Sequence, residues 1–352
     1  MPLNRVSIES FRCLTRVELA LHPERTYLFG PNGAGKTSLL EAVHVLGRGR
    51  SFRTRHTRRL IQHQRPGFSV FGEVRAQGAV HRLGVGCRAA GLELRLNGAP
   101  APGTAALARL LPVHVIEPNS HSLIEGSPGE RRRFLDWGVF HVEPSYLAAW
   151  RGYRRALSQR NAALKCGEGV GGWDAGFVAA GAAVDRARRR YVDALGAAAA
   201  GLGEALLGQP LSVSYRAGWP QGTSLSEALA GSADRERACG ATQVGPHRAD
   251  LAIRLDARGV RDDVSRGQQK LIAAGLILAQ TRVFAAGRGD GGVLLVDDPA
   301  AELDERALAG LISVLDGLAV QQVITGLSQA ALPGARAYPV FHVEPGGGLS
   351  ML

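Results

Sequence analysis

A chain of 352 residues can bury a large core and is expected to hold two or three subdomains. No run of 18 or more apolar residues is found, and the first residues pass straight into a strand pattern without a signal-peptide core. A cytoplasmic location and no membrane partner are therefore expected. Four cysteines, Cys13, Cys87, Cys166 and Cys239, lack any CxxC spacing, which argues against a disulfide framework or a zinc site. The formal charge is +11, with only Lys36, Lys165 and Lys270 as lysines among 42 basic residues. That excess points to a polyanionic partner, because cations laid along phosphates gain affinity by releasing counterions. A biased genome also explains the exchange of Lys for Arg, but not the net charge.

An alternating strand opens at 6–8, Phe11-Arg12 follows, and a second strand is expected over 16–21. Gly30-Pro31-Asn32-Gly33-Ala34-Gly35-Lys36-Thr37 then fits GxxxxGK[ST], between a short apolar strand at 27–29 and helical apolar spacing over 38–46. This is the strand, loop, helix context of a phosphate-binding loop. Glycines let backbone N–H groups converge on phosphate oxygens, and the helix N-terminus adds partial positive charge. Lys36 is expected on the β- and γ-phosphates of ATP, and Thr37 on Mg²⁺. Residues 48–59 contain six arginines and no acid. Of these Arg50, Arg53, Arg55, Arg58 and Arg59 are candidate DNA contacts, nucleotide phosphate or a solvated face being the alternatives. Period-two patterning from 68 to 100, with turns at Gly78, Gly91 and Asn97-Gly98, predicts an antiparallel sheet beside the nucleotide core, and 113–116 another strand.

From 144 to about 207 the pattern is helical. Trp150, Leu157 and Leu164 recur every seven residues, as do Tyr146 and Tyr153; after a glycine-rich break at 167–172 so do Val184, Tyr191 and Ala198. The pair predicts a short antiparallel helical hairpin whose apolar stripes pack on each other. Arg151, Arg154, Arg155 and Arg160 on the first helix, with Arg186, Arg188, Arg189 and Arg190 on the second, flank DNA or simply form a soluble face. A loop rich in Gly, Pro and Ser follows, and an α/β pattern resumes around Ala241. Its apolar run 293–296 reads as a buried parallel strand ending in Asp297-Asp298, a Walker B pattern. A carboxylate at the end of a strand neighbouring the phosphate loop suits Mg²⁺; Asp297 is the metal partner and Asp298 the general base. Gly245-Pro246-His247-Arg248 reads as a turn between strands.

Ser265-Arg266-Gly267-Gln268, before an apolar helix, resembles the signature motif of the ABC-type ATPases, and Ala300-Ala301-Glu302-Leu303-Asp304 resembles their D-loop. In that family the signature serves the nucleotide held by the other subunit. The resemblance implies an α/β ABC-type P-loop ATPase head with a lateral antiparallel sheet and a short helical hairpin. The expected segments are 1–140, an N-terminal lobe; 141–210, the hairpin; and 211–352, a C-terminal lobe. The hairpin is too short for the long-armed SMC type and excludes an ordinary transporter subunit.

Over nearly its whole length the chain resembles the RecF family of recombination mediators. Phe11-Arg12, the phosphate loop with its helix, Gly49-Arg50-Ser51-Phe52-Arg53, Arg131-Arg132-Arg133-Phe134-Leu135-Asp136, Gly245-Pro246-His247-Arg248, Ser265-Arg266-Gly267-Gln268-Gln269 and Val296-Asp297-Asp298 carry it. The resemblance implies a bacterial protein that dimerises on ATP, binds gapped DNA or single-strand/double-strand junctions, and works with RecR and RecO to aid RecA loading. A nucleotide-gated adaptor with little DNA affinity is the rival reading. Asp298 stands where many ABC ATPases have Glu, and Thr325 where many have a switch His, so slow hydrolysis is expected, and the resemblance implies that DNA stimulates it. A Q-loop equivalent is sought at Glu117-Pro118-Asn119.

Overall fold

The computed structural model describes residues 3–76, 78–288, 292–332 and 334–351. The chain forms two compact units, Met1–Ser120 with Phe284–Leu352, and His121–Val283. These boundaries differ from the segments expected at 1–140, 141–210 and 211–352. The pattern breaks in the sequence mark the ends of the hairpin, whereas the flanking elements on both sides pack onto it and join its unit.

The first unit begins with β1 (Leu3–Phe11), β2 (Leu14–Ala20), β3 (Arg25–Phe29) and α1 (Lys36–Arg48). It continues through β4 (Phe68–Ala76), β5 (Ala79–Arg88), β6 (Gly91–Leu96), β7 (Ala99–Pro100), α2 (Thr104–Leu110) and β8 (Val113–Ile116). The second unit holds α3 (Ser122–Glu125), α4 (Pro128–Val142), α5 (Tyr146–Lys165), α6 (Gly171–Leu207), β9 (Leu211–Arg216), α7 (Leu225–Cys239), β10 (Asp250–Leu255), β11 (Arg258–Gly259) and most of α8 (Arg266–Arg288). The chain then re-enters the first unit with β12 (Val293–Val296), α9 (Pro299–Glu302), α10 (Glu305–Asp316), β13 (Gln321–Gly326), β14 (Val340–Val343) and β15 (Leu349–Met351).

Two six-stranded sheets build the first unit. One is antiparallel in the order β2-β1-β4-β5-β6-β7. The other runs β15-β14-β3-β13-β12-β8, parallel except for its β15 edge. In the antiparallel sheet burial alternates along β4, with Phe68, Val70 and Val74 inward, as one solvated face requires. In the parallel sheet β3, β12 and β13 are buried at every position. Helix α1 touches strands of both sheets and is buried almost all round, from Ser38 to Gly47. Gly47 makes the fit possible, since a Cβ there would lie 2.5 Å from the Leu111 carbonyl oxygen.

In the second unit α5 and α6 form the expected hairpin. The second stripe departs from a seven-residue repeat. Val184 and Tyr191 are buried, but the stripe continues through Leu195, Ala199 and Leu202 instead of Ala198, because a straight helix of 3.6 residues per turn drifts from a 3.5 repeat. The Gly, Pro and Ser-rich stretch also contains structure that composition concealed. Strand β9 pairs with β10, and α7 opens with a capping box between Ser224 and Glu227. One helix among the described residues, Arg266–Gly287, is long and apolar enough by length and composition to cross a membrane. Gln280, Thr281 and Arg282 interrupt it and so hide it from a search for uninterrupted apolar runs, and more than half of its most apolar window is buried inside the protein.

Candidate nucleotide site

The phosphate loop closes on glycines that nothing else can replace. A Cβ at Gly30 would lie 2.3 Å from the Val343 carbonyl oxygen, and one at Gly35, where φ is +109°, 2.7 Å from Leu14 Cδ2. The Lys36 ammonium donates to the carbonyls of Gly30 at 2.6 Å and Pro31 at 3.0 Å. Burial lowers its pKa, and the nearby Asp298 and Asp297 oppose that shift.

The strand order β3-β13-β12 places Asp297 one strand further from the phosphate loop than expected, with β13 between them. Thr325 of β13 spans the gap. Its hydroxyl donates to Asp297 Oδ1 at 2.9 Å and accepts from the Asp298 N–H at 2.9 Å, while Thr37 donates to the same Oδ1 at 3.0 Å. The residue standing in the switch position therefore fastens the Walker B pair, a role that its place in the sequence did not announce. Asp297 also donates its own N–H to the Ile116 carbonyl of β8. Burial raises the Asp297 pKa against the two threonine bonds. Asp298 adopts the left-handed region at φ +44°, its Oδ1 is buried without a hydrogen-bond partner, and burial raises its pKa while Lys36 works the other way. A non-glycine residue held there stores strain of the kind found at functional sites.

A second group of charges, which the sequence reading did not assemble, adjoins the first. Glu117, just past β8, is pushed up to about 7 by burial and by Asp297, with Arg53 opposing. Glu41 of α1 is fully buried and receives both arms of Arg12, at 2.9 and 2.8 Å, the Ser51 hydroxyl, and Arg53 at 3.7 Å. Arg53 also lowers the pKa of Asp297. The Phe11-Arg12 and Gly49 to Arg53 motifs are thus one construction around Glu41, and Arg53, a candidate DNA contact by sequence, faces the carboxylates of the phosphate-loop site. Arg50, Arg55, Arg58 and Arg59 are exposed, and Arg58 donates to the Ala89 carbonyl.

Among the described residues no three His, Cys, Asp or Glu side chains gather as a metal cluster. The oxygens present nonetheless suit Mg²⁺, which is commonly bound by one or two protein oxygens together with phosphates and water. Thr37 and Asp297 provide that pair of hard donors 3.0 Å apart.

In the second unit Ser265 and Gln268 cap the start of α8 reciprocally. Ser265 Oγ accepts from the Gln268 N–H, and Gln268 Oε1 accepts from the Ser265 N–H. Ser265, Arg266 and Gly267 are exposed, and a Cβ on Gly267 would meet nothing within 4 Å. The helix end therefore presents an open backbone surface. The two remaining motifs are structural. Arg131 forks onto Asp250 at 2.7 and 3.0 Å, Arg132 donates to the Ala249 carbonyl, and Arg188 joins Asp136 to the Pro246 carbonyl. His247 is fixed by Tyr153 and the Thr242 carbonyl, and burial lowers its pKa to about 4. Of the hairpin arginines, Arg160 and Arg188 are buried, and Arg189 and Arg190 pair with Asp185 and Glu143, which removes them from a freely exposed basic face.

A phosphate loop and an Asp-Asp pair on a parallel sheet, beside a lateral antiparallel sheet, with a Ser-x-Gly-Gln helix start and a short hairpin in a second unit, define an ABC-type ATPase head of the SMC-like class. The fold is shared at 13% identity with a solved Smc head bound to the C-terminal winged-helix domain of ScpA, with a TM-score of 0.61 over 100% of this chain and 98% of that one. The RecF/RecN/SMC N-terminal domain family matches residues 2–346. A solved structure of the recombination mediator protein RecF with ATP, from the RecFOR pathway, superposes with a TM-score of 0.87 at 25% identity over 99% of this chain and 97% of that one. DNA replication and repair protein RecF of Pseudomonas putida (strain W619) is 40% identical over 98% of this chain and 97% of its own length. That of Azotobacter vinelandii (strain DJ) is 42% identical over 98% of each. The chain belongs to the RecF family.

Proposed function

We propose that this protein is an ATP-dependent DNA-binding factor of DNA replication and recombinational repair. Two copies close on two ATP molecules, each nucleotide lying between Gly30 to Thr37 of one chain and Ser265, Arg266, Gly267 and Gln268 of the other. The observation that carries this reading is the hydroxyl-linked chain Thr37, Asp297, Thr325, Asp298, which joins phosphate loop and Walker B into one constellation. Thr37 and Asp297 would hold Mg²⁺, whose charge neutralises the phosphates. Lys36 exchanges its loop carbonyls for phosphate oxygens, and Asp298 orients the attacking water. Hydrolysis is slow and releases the dimer.

The family name and the net charge of +11 support DNA as the polyanion. Exposed Arg50, Arg55, Arg58 and Arg59 are the nearest candidates for phosphate contact. Gapped DNA or a single-strand/double-strand junction is the proposed target, RecR and RecO the proposed partners in assisting RecA, and the cytoplasm the proposed location. The test is light scattering and DNA binding across a salt series, with and without ATP. ATP-induced dimers and salt-steep DNA affinity, both lost in Lys36→Ala and Ser265→Arg, are expected. DNA affinity indifferent to ATP and to both substitutions would leave the nucleotide another role and favour the adaptor reading.

A further inference from the structure

On the antiparallel sheet of the first unit the outward positions of β5 are Arg82, Gly84, Gly86 and Arg88. The register sets Gly84 between Phe71 of β4 and Arg95 of β6, and Gly86 between Ser69 and Glu93. Two consecutive outward glycines leave a notch across the middle of three strands, with a cavity volume of about 280 Å³. Glycine inside a strand forfeits packing and often marks close approach by another molecule. Ser69, on the rim, donates to Glu9 at 3.4 Å, while the larger groups around the notch are weakly engaged. Phe71 is 36% exposed, and among the described residues it has no aromatic neighbour, Arg88 and Glu93 have no ion pair, and Arg95 reaches only the Gly98 carbonyl at 3.5 Å. On the same face Arg5 pairs with Glu18 and Arg82 with Glu73. Arg58, through its bond to the Ala89 carbonyl, ties the basic segment 50–59 to the turn just beyond Arg88.

We propose that this notch binds an unpaired nucleotide of single-stranded DNA, with the base against Phe71 over the two glycines and the flanking phosphates on Arg88 and Arg95. This rests on the reading of the protein as DNA-binding and adds where the single-stranded side of a gap is held. The chemistry favours an unpaired base over the alternatives. A duplex buries its base faces and offers nothing to Phe71. An acidic peptide would set a carboxylate beside Glu93. A nucleotide instead supplies a π-face for Phe71, anions for two guanidinia, and an exocyclic amine for the Glu93 carboxylate, which accepts from cytosine N4 as acidic side chains do. The site therefore prefers amino-bearing bases to thymine.

The experiment compares fluorescently labelled dC and dT 12-mers, blunt duplex and gapped DNA by anisotropy over a salt series. Phe71→Ala should weaken dC 12-mer binding about 10-fold, as expected for one lost stacking contact. Phe71→Tyr should restore it, and duplex affinity should be unchanged. Arg88→Ala with Arg95→Ala should lower the single-strand salt slope by about 1.4. Glu93→Gln should erase the preference for dC over dT, and the tryptophan of Phe71→Trp should be quenched on adding dC 12-mer. Single-strand affinity within about twofold of the parent in Phe71→Ala, with no quenching in Phe71→Trp, overturns the proposal and leaves the notch to a protein segment. An equal loss on duplex overturns it too. If the parent protein binds gapped DNA in an ATP-dependent way while these variants behave as parent, only this inference falls. If the parent binds no DNA at all, the functional reading falls with it.

Discussion

Thr325→Val isolates the hydroxyl that joins the Walker B pair to the rest of the site. Valine keeps the shape and branching of the side chain, so no cavity opens in a position that is fully buried. What is lost is a charge-assisted bond to Asp297 at 2.9 Å and the acceptor for the Asp298 N–H at 2.9 Å. A hydrogen bond to a charged group contributes about 1.5–3 kcal/mol, and an orphaned buried donor costs about 1–3 kcal/mol. Partial relaxation and water entry reduce the sum, leaving a loss of about 3 kcal/mol in urea unfolding at pH 8. The pH dependence carries a sign. Thr325 holds the Asp297 pKa below where burial alone would put it, so its contribution is present while Asp297 is ionised and fades as pH falls and the carboxyl protonates. Thr325→Ser should stay close to the parent. A Thr325→Val deficit below about 1 kcal/mol, or one constant from pH 8 to pH 4, would refute the argument that this hydroxyl serves an ionised Asp297.

Glu117 gives a slope of the opposite sense. Because its folded-state pKa is raised to about 7, stability falls as pH climbs from about 4.5 to 7 and stays lower above, by about 3 kcal/mol. Glu117→Gln should flatten that part of the urea-midpoint curve and stabilise the nucleotide-free protein at pH 8; an unchanged slope would exclude Glu117 as its source. Arg12→Ala leaves Glu41 buried with only the Ser51 hydroxyl and Arg53 at 3.7 Å, and should cost about 3 kcal/mol, the low end for breaking a buried pair. The Arg12→Ala, Glu41→Gln double variant should recover part of this in chemical denaturation, and strict additivity would deny the coupling. Asp298→Glu, which lengthens the base by one methylene, should raise single-turnover ATP hydrolysis several-fold in quench-flow; a slower variant would mean that reach is not what limits Asp298.

The sequence made the nucleotide half of the site legible because phosphate binding constrains the backbone. Gly30 and Gly35 are glycines for steric reasons, and a buried strand ending in Asp-Asp, common by itself, gains its meaning from the phosphate loop that precedes it. It did not reveal Thr325 as the bridge, because strand order is a long-range property and a threonine in an apolar strand passes for a β-former. Glu41 was equally hidden. A glutamate within a helix reads as an exposed polar position, and only the packing of α1 between two sheets makes it a buried charge that Arg12, Ser51 and Arg53 must satisfy. The Gly, Pro and Ser content before Ala241 has the character of a loop and masks β9 and α7, although Ser224 and Glu227 have the spacing of a capping box. Arginines mislead most. Arg160, with Glu236 at 2.7 Å, and Arg188, with Asp136 at 2.8 Å, are internal struts that no local pattern separates from a basic surface.

The position of Arg53 gives the clustered arginines a division of labour. It is half-exposed, lies 3.7 Å from Glu41, and lowers the pKa of both Glu117 and Asp297. Glu41, which Arg12 also holds, Glu117 and Asp297 all feel this guanidinium, and burial opposes the ionisation of Glu117 and Asp297. Anionic nucleotide with a divalent cation would change that balance, and Arg53 is the half-exposed charge placed to respond. Its neighbours Arg55 and Arg59 carry no pairing among the described residues and remain open to an external polyanion. On the proposed function, a segment with one end beside the Walker B carboxylate and the other on the surface would give ATP and DNA a direct route to influence each other. That coupling is reciprocal: whatever nucleotide does to DNA affinity through this loop, DNA must do to nucleotide affinity by the same factor.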